Sequence, residues 1–248
     1  KNKCGGDLEK FKQEYPIRID EAFTASSNTV IPKELIELQR KYVREPIRTQ
    51  EDVAIYENVT WNHYYSLGAD PSEGVGLDDS AFMVLDRMTG REVAHFSNNN
   101  IQPDLFAKKI VKIAQYYNNA IVVPEINGHG IAVLHALQRL EYPNIARQRY
   151  FDHLTNSWTR RLGWKTSTIS KPLMVDEFIR VLREELIGLS SSLILGQMIT
   201  FVYTHEIGSR GMGAETGQKD DSLISAMLAW QGTKDLPGEF INEQNDDW

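Results

Sequence analysis

The chain reads as an α/β protein built on a mixed β-sheet. Three observations point there. Three strand-like runs lie close together after Trp61. Helix-like and strand-like segments alternate after them. Hydrophobic residues make up 41% of 248 residues, enough for one large domain or one domain with an appendage.

Residues 1–60 are charged and lack a sustained strand pattern. Within them Lys33 to Leu38 reads as a short helix, with Pro32 near its start. From Trp61 the texture changes. Tyr64 to Ala69, Ala81 to Leu85 and Glu92 to Phe96 read as strands, the last two joined by a turn at Met88-Thr89-Gly90-Arg91. Residues 103–117 place Phe106, Ile110, Ile113, Ala114 and Tyr117 at helical spacing. Ala120 to Val123 is a short buried strand. Ile131, Leu134, Leu137 and Leu140 mark a second helix that stops before Pro143. Arg147 to Phe151 reads as another strand. Pro172 opens a third helix, carrying Phe178, Leu182 and Leu186 inward. Met198 to Tyr203 is strand-like, and Leu223, Ile224, Met227 and Leu228 mark the last helix.

Composition excludes several classes. The formal net charge of −7 argues against a non-specific nucleic-acid coat, although local charge decides for an enzyme. Between Arg139 and Lys171 there are seven Lys or Arg and two Asp or Glu; after Gln231 there are five carboxylates and one lysine. The single cysteine, Cys4, rules out an internal disulfide framework and fits a reducing compartment. No apolar run approaches a membrane span, and the N-terminus lacks a signal-peptide pattern. The first residue is Lys1 rather than Met, so a piece of something longer is expected. There is no P-loop and no nucleophile elbow, and the six histidines do not fall at zinc-ligand spacing. Residues 70–79 lack the spacing of a calcium loop.

What remains is three acidic sites far apart in sequence. Asp70 ends an apolar run and precedes Pro71. On position alone a turn explains it better than a metal does. Glu125 follows Ile121-Val122-Val123-Pro124, at a sheet edge where α/β sites gather. Asp220 and Asp221 precede an apolar helix. The helix dipole accounts for one acid there, but two exceed what capping needs. Asp221 has the better frame for a ligand, with Asp220 serving a second ion or a water. Asp78 and Asp79 close a Gly-rich loop, one of them holding it in place. Carboxylates without a Cys or His motif suit hard cations, Mg²⁺ or Mn²⁺, and two such ions can cut a phosphodiester. Arg147, Arg149, Arg160, Arg161, Lys165 and Lys171 form a basic stretch interleaved with Trp158 and Trp164. It reads either as a DNA-backbone grip or as a solvated face with two core tryptophans.

Taken in order, these frames resemble the C-terminal nuclease domain of the large terminase subunit of tailed bacteriophages. The matching pieces are SLGADPSEGVGLDDSAFMVL, VPEINGHG, LGWKTSTISKPLMVDEF and KDDSLISAMLA. The earlier FKQEYPIRIDEAFTAS resembles the segment that joins the packaging ATPase to the nuclease. Lys219 departs from the pattern, since many relatives place His before the paired Asp.

The resemblance implies an RNase H-like fold. It divides the chain into a 1–60 arm or linker after an absent ATPase domain, a 61–232 nuclease domain and a 233–248 acidic tail. The implied job is metal-dependent cutting of concatemeric double-stranded viral DNA at the start and end of packaging. Asp70, Glu125 and Asp221 would be catalytic and, with Asp220, would hold two Mg²⁺ or Mn²⁺ ions. The implied partners are DNA, the ATPase domain of the same full-length chain, the portal protein and the small terminase subunit, in the host cell cytoplasm and without a membrane. Two alternatives are a non-catalytic docking module of the motor and a Holliday-junction resolvase or transposase of the same fold.

Overall fold

A computed structural model describes residues 28–74, 78–152, 154–206 and 209–234. Its centre is a six-stranded sheet. In chain order the strands are β1 (Arg48–Gln50), β2 (Val53–Ile55), β3 (Tyr65–Asp70), β4 (Ser80–Asp86), β5 (Arg91–Asn98) and β6 (Ile121–Pro124). In space the order is β1-β2-β5-β4-β3-β6. Only β3 and β6 pair in parallel, with Leu67 opposite Val122 and Ala69 opposite Pro124. The other pairs in the sheet are antiparallel, so it is mixed, as expected.

Helices cover both faces because the central strands are apolar on both sides. Along β4 the pleat sends Phe82 and Val84 to one face and Met83 and Leu85 to the other, and all four are inaccessible to water. On the first face α2 (Pro103–Tyr116) and α3 (Gly130–Arg139) bury Phe106, Ile110, Ala114, Val133 and Leu137. Pro103 at the first position presets α2, since its missing N–H would have had no partner there. On the second face lie α1 (Lys33–Gln39), α4 (Ser170–Arg183), α5 (Ser192–Thr200) and α6 (Asp221–Gln231).

α6 lies deepest, with Ser222 to Ala229 all buried. It reaches β3 so closely because of Gly68. A Cβ at that position would stand 2.1 Å from the Ser225 carbonyl oxygen and 2.2 Å from the Ala229 nitrogen. The Ser66 hydroxyl donates to the Ala229 carbonyl at 2.6 Å. The start of α6 is tied to α5, where the Gln197 side chain accepts the Leu223 N–H at 2.8 Å. The N-terminal end of α5 is held in turn by Glu92 of β5, whose Oε2 accepts the Ser190 and Ser191 amides at 2.6 and 2.8 Å.

Beyond β6 the sheet continues as a peptide ladder. The Val122 amide donates to Asn144 and the Ala146 amide to Val122; the Trp164 amide donates to Pro124 and the Ile126 amide to Trp164. From this ladder projects a hairpin of β7 (Arg147–Asp152) and β8 (Ser157–Leu162). A second hairpin joins β9 (Phe201–Glu206) to β10 (Ser209–Ala214).

Several expectations need correction. Residues 28–60 do not stand apart as a linker. Ile31 and Ile36 are fully buried in the α6-side core, and β2 pairs with β5. The proposed division at residue 60 therefore crosses a packed body. Met198 to Tyr203 is not one strand: Met198 to Thr200 end α5, and β9 begins at Phe201. Leu186 is 44% exposed because α4 stops at Arg183 and the chain turns at Glu185 with φ 53°. Trp158 is not in the core, being 60% exposed on the β7–β8 hairpin. Residues 1–27 and 235–248, and with them Cys4, the 11–26 segment and most of the acidic tail, lie outside the described residues.

Candidate metal centre

The fold draws the three distant acids to one place. Asp70 is the last residue of β3 and Glu125 the first after β6. The parallel pairing makes both strands end on the same side, and the Glu125 amide donates to the Ala69 carbonyl at 2.8 Å. Asp221 is the first residue of α6, carried there by the contact at Gly68. All three line one cleft of about 350 Å³, walled also by the β3–β4 loop and by Asn127 to His129. Gly130 permits that second wall, since a Cβ there would fall 1.9 Å from the Glu125 carbonyl oxygen.

The charges in this cleft oppose one another. Burial, then the neighbouring Glu125, then Asp221 and Asp220, hold the Asp70 carboxyl well above the usual carboxylate range. A side-chain hydrogen bond between Asp70 and Glu125 adds to that rise. Burial pushes Asp221 up to about 7, against the pull of the Asp79 amide and with added repulsion from Asp220, Asp79 and Asp78. Among the described residues, no group of three or more His, Cys, Asp or Glu is drawn close enough to form a finished metal cage. The donor set nevertheless suits a hard cation: the three carboxyls are oxygen donors from separate rigid elements, and burial and mutual repulsion raise two of them above the usual carboxylate range.

The paired acids separate in role. Asp221 faces the cleft, and its Oδ2 accepts the Asp79 N–H at 3.3 Å. Asp220 precedes α6 outside the cleft lining, making no side-chain cap hydrogen bond, with its Oδ2 3.7 Å from Lys171 Nζ. Asp79 is the acid that holds the loop. Its carboxylate takes Lys219 Nζ at 2.6 Å and the Ser97 hydroxyl at 2.8 Å. His129 Nε2 lies 2.5 Å from Glu73 Oε1 across the mouth of the cleft. These tertiary pairings were not readable from the sequence, since Asp79 and Lys219 are 140 residues apart. The side chain of His205 lies outside the described residues.

The basic stretch does not form one surface. In the hairpin Arg149 stands opposite Arg160, and Phe151 opposite Trp158. With Arg147 these side chains share one face. Arg147, Arg149, Trp158 and Arg160 are exposed there. Arg149 lies 4.7 Å from the Trp158 ring centre. Arg161 falls on the other face, its guanidinium 3.5 Å from the Tyr150 ring centre and its Nε buried. Lys165 is exposed beside the hairpin root, its backbone bonded to the Gln148 side chain. Lys171 belongs to the acidic cleft's margin through Asp220.

No protein-family model matches the chain, and no curated protein does. Solved structures do. The large terminase nuclease from thermophilic phage G20c with bound magnesium matches with a TM-score of 0.67 at 19% identity, over 83% of this chain and 98% of that one. The large terminase nuclease domain of Thermus phage P74-26 matches at 0.59 and 20% identity, over 79% and 93%. The fold is that of a large-terminase nuclease domain. It is the RNase H-like architecture that the motifs implied. In this terminase nuclease fold the acidic cleft sits at the shared C-terminal end of β3 and β6, with the start of α6 as its third side. The G20c nuclease also matches in a cobalt-bound form, with a TM-score of 0.66 at 19% identity over 83% of this chain and 98% of that one.

Proposed function

We propose that this chain is a divalent-metal-dependent endonuclease that cuts concatemeric double-stranded viral DNA when genome packaging starts and ends. The observation that carries the reading is the convergence of Asp70, Glu125 and Asp221 in one cleft on three separate elements. The magnesium bound to the G20c nuclease supports the choice of metal.

Asp70, Glu125 and Asp221 would hold two Mg²⁺ or Mn²⁺ ions, with Asp220 adjacent and tethered to Lys171. Bound there, the ions supply an activated water and stabilise the leaving 3′-oxygen. The chain's own part is to position and to give up protons. Asp70, held well above the usual carboxylate range, and Asp221, pushed up to about 7, must give up their protons before they can act as ligands. The β3 and β6 ends fix Asp70 and Glu125 through backbone pairing, so their separation does not depend on side-chain packing. The exposed hairpin face of Arg147, Arg149 and Arg160, with Lys165 at its root, grips the DNA backbone beside the cleft. Arg161, on the other face, and Lys171, beside Asp220, stand apart from that surface.

In this reading the packaging ATPase domain belongs to the same full-length chain, and the portal and small terminase subunit are its partners in the host cytoplasm. Among the described residues no helix is long and apolar enough to cross a membrane. The test is digestion of supercoiled plasmid by this chain with Mg²⁺, Mn²⁺, Ca²⁺ or EDTA. Nicking and linearisation are expected with Mg²⁺ and Mn²⁺ and little with Ca²⁺, whose looser geometry places water and phosphate poorly. Full activity in EDTA would remove the metal mechanism.

A further inference from the structure

Lys219 lies two residues before Asp221, and the structure gives it a specific partner. Its ammonium lies 2.6 Å from Asp79 Oδ1 in a partly buried pair, the two side chains 29% and 15% exposed. The other oxygen of that carboxylate accepts the Ser97 hydroxyl from β5 at 2.8 Å. Both Asp79 oxygens are therefore engaged. The backbone N–H of the same residue donates to Asp221 Oδ2 at 3.3 Å. Asp79 sits where the β3–β4 loop enters β4, and Lys219 sits two residues before Asp221. The contact thus clamps the loop that walls the cleft to the segment that starts α6.

We propose that Lys219 is a positioning residue for the metal centre, acting through Asp79 to aim the Asp79 amide at Asp221. The arrangement has two physical effects. It fixes one oxygen of Asp221 by a donor whose own place is set by an ion pair and a hydroxyl. It also commits the Asp79 charge to Lys219, so that Asp79 neither competes for the ions nor adds its full repulsion to Asp221. A lysine suits this task, because its long stem spans from the α6 start to β4 and its ammonium keeps its charge near neutrality. The inference rests on the proposed metal site, and the experiment separates the two.

The variants are Lys219→Met, which keeps the stem without the charge, and Lys219→Arg, which restores charge. Asp79→Asn attacks the same pair from the other side. Mn²⁺ affinity is read by calorimetry, nicking by kcat and by KM for DNA, and folding by thermal melting without metal. Lys219→Met should weaken Mn²⁺ binding about 10-fold or more, the scale for groups that orient metal ligands. It should lower kcat while leaving KM for DNA near its original value. Lys219→Arg should recover most of the loss, and Asp79→Asn should reproduce it. Unchanged Mn²⁺ affinity in folded Lys219→Met would overturn the proposal. A raised KM with unchanged Mn²⁺ affinity would do the same and make Lys219 a DNA contact. If Lys219→Met does not fold, Asp79→Asn decides by the same readouts. Failure of the unaltered protein to bind Mn²⁺ would overturn the metal site itself and this inference with it.

Discussion

Gly68 lies in the middle of β3, away from the acids, yet Gly68→Ala should damage the site through geometry alone. The added Cβ would meet the Ser225 carbonyl oxygen at 2.1 Å and the Ala229 nitrogen at 2.2 Å. Both are backbone atoms of one helix, so no rotamer change relieves them. Raising 2.1 Å to the 3.4 Å of ordinary contact opens the β3–α6 interface by about 1.3 Å. Overpacking of this kind costs about 1–3 kcal/mol, and two backbone clashes place the cost near the top of that range. For a domain of this size about 3 kcal/mol lowers Tm by roughly 6–12 °C. The same displacement moves Asp221 away from Asp70 and Glu125, and a misplacement of about 1 Å can cost about 100-fold in rate. The assay pairs thermal melting with Mn²⁺-dependent plasmid nicking well below the new Tm. Gly217→Ala serves as the stability comparator, since a Cβ there meets nothing within 4 Å and only the φ of 82° is strained. Gly68→Ala that melts with the original protein and nicks at the original rate would refute the claim that backbone contact at Gly68 sets the site.

Other outcomes follow from the same structure. Asp70→Asn should lose cleavage by at least about 100-fold, as removal of a group acting in the transition state does, while the fold persists. Because the Asp70 carboxyl is raised in the folded state, the folded protein binds that proton more tightly than the unfolded chain. Stability is therefore lost as pH rises above the ordinary carboxylate range, and Asp70→Asn should flatten that fall in metal-free melting curves. With Asp221 pushed up to about 7, Mn²⁺ must displace a proton at lower pH. Affinity should climb up to about pH 7, and calorimetry in buffers of different ionisation enthalpy should detect proton release; pH-independent binding would contradict this. Replacing Arg149 and Arg160 together with Gln should weaken DNA binding about equally across sequences and reduce its logarithmic salt slope by about 2. Arg161→Gln should change that slope less and lower stability instead, because its guanidinium packs on Tyr150. A fall confined to one DNA sequence would mean that the arginines read bases.

The sheet and its acids were legible because each sits in a strong local frame. The apolar runs before Asp70 and Glu125 and the helix after Asp221 all form as the spacing predicts. What escaped depends on distant partners. Ser192 to Thr200 is apolar on nearly every side because α5 is buried, and a short segment of that kind shows no period to separate helix from strand. Strand β8 is polar and exists through its register with β7. Residues 48–55 form two three-residue strands, the polar edge strand β1 and the apolar β2, each too short to show a period. The sorting of the arginines needed that register too, since sequence spacing alone put Arg160 and Arg161 together and the pleat sends them to opposite faces. The frame of Asp221 pointed to it as the better ligand, while the turning of Asp220 toward Lys171 became visible only in the fold.

The ladder at the hairpin root has a consequence for local stability. A two-stranded hairpin is marginal on its own. This one hangs from β6 through the amides of Ala146 and Trp164; the Gly163 amide closes the root onto Ala146, and the Ile126 amide, of the residue after Glu125, donates to Trp164. Opening of the hairpin and loosening of Glu125 thus draw on the same hydrogen bonds. Anything that clamps the arginine face should lower the population of open forms at both places, and amide hydrogen exchange at these four positions measures it. Short duplex DNA added without metal should slow their exchange together. Exchange slowed at the hairpin and left unchanged at Ile126 would show that the two move independently. Where they move as one, DNA held by the hairpin would itself stiffen Glu125.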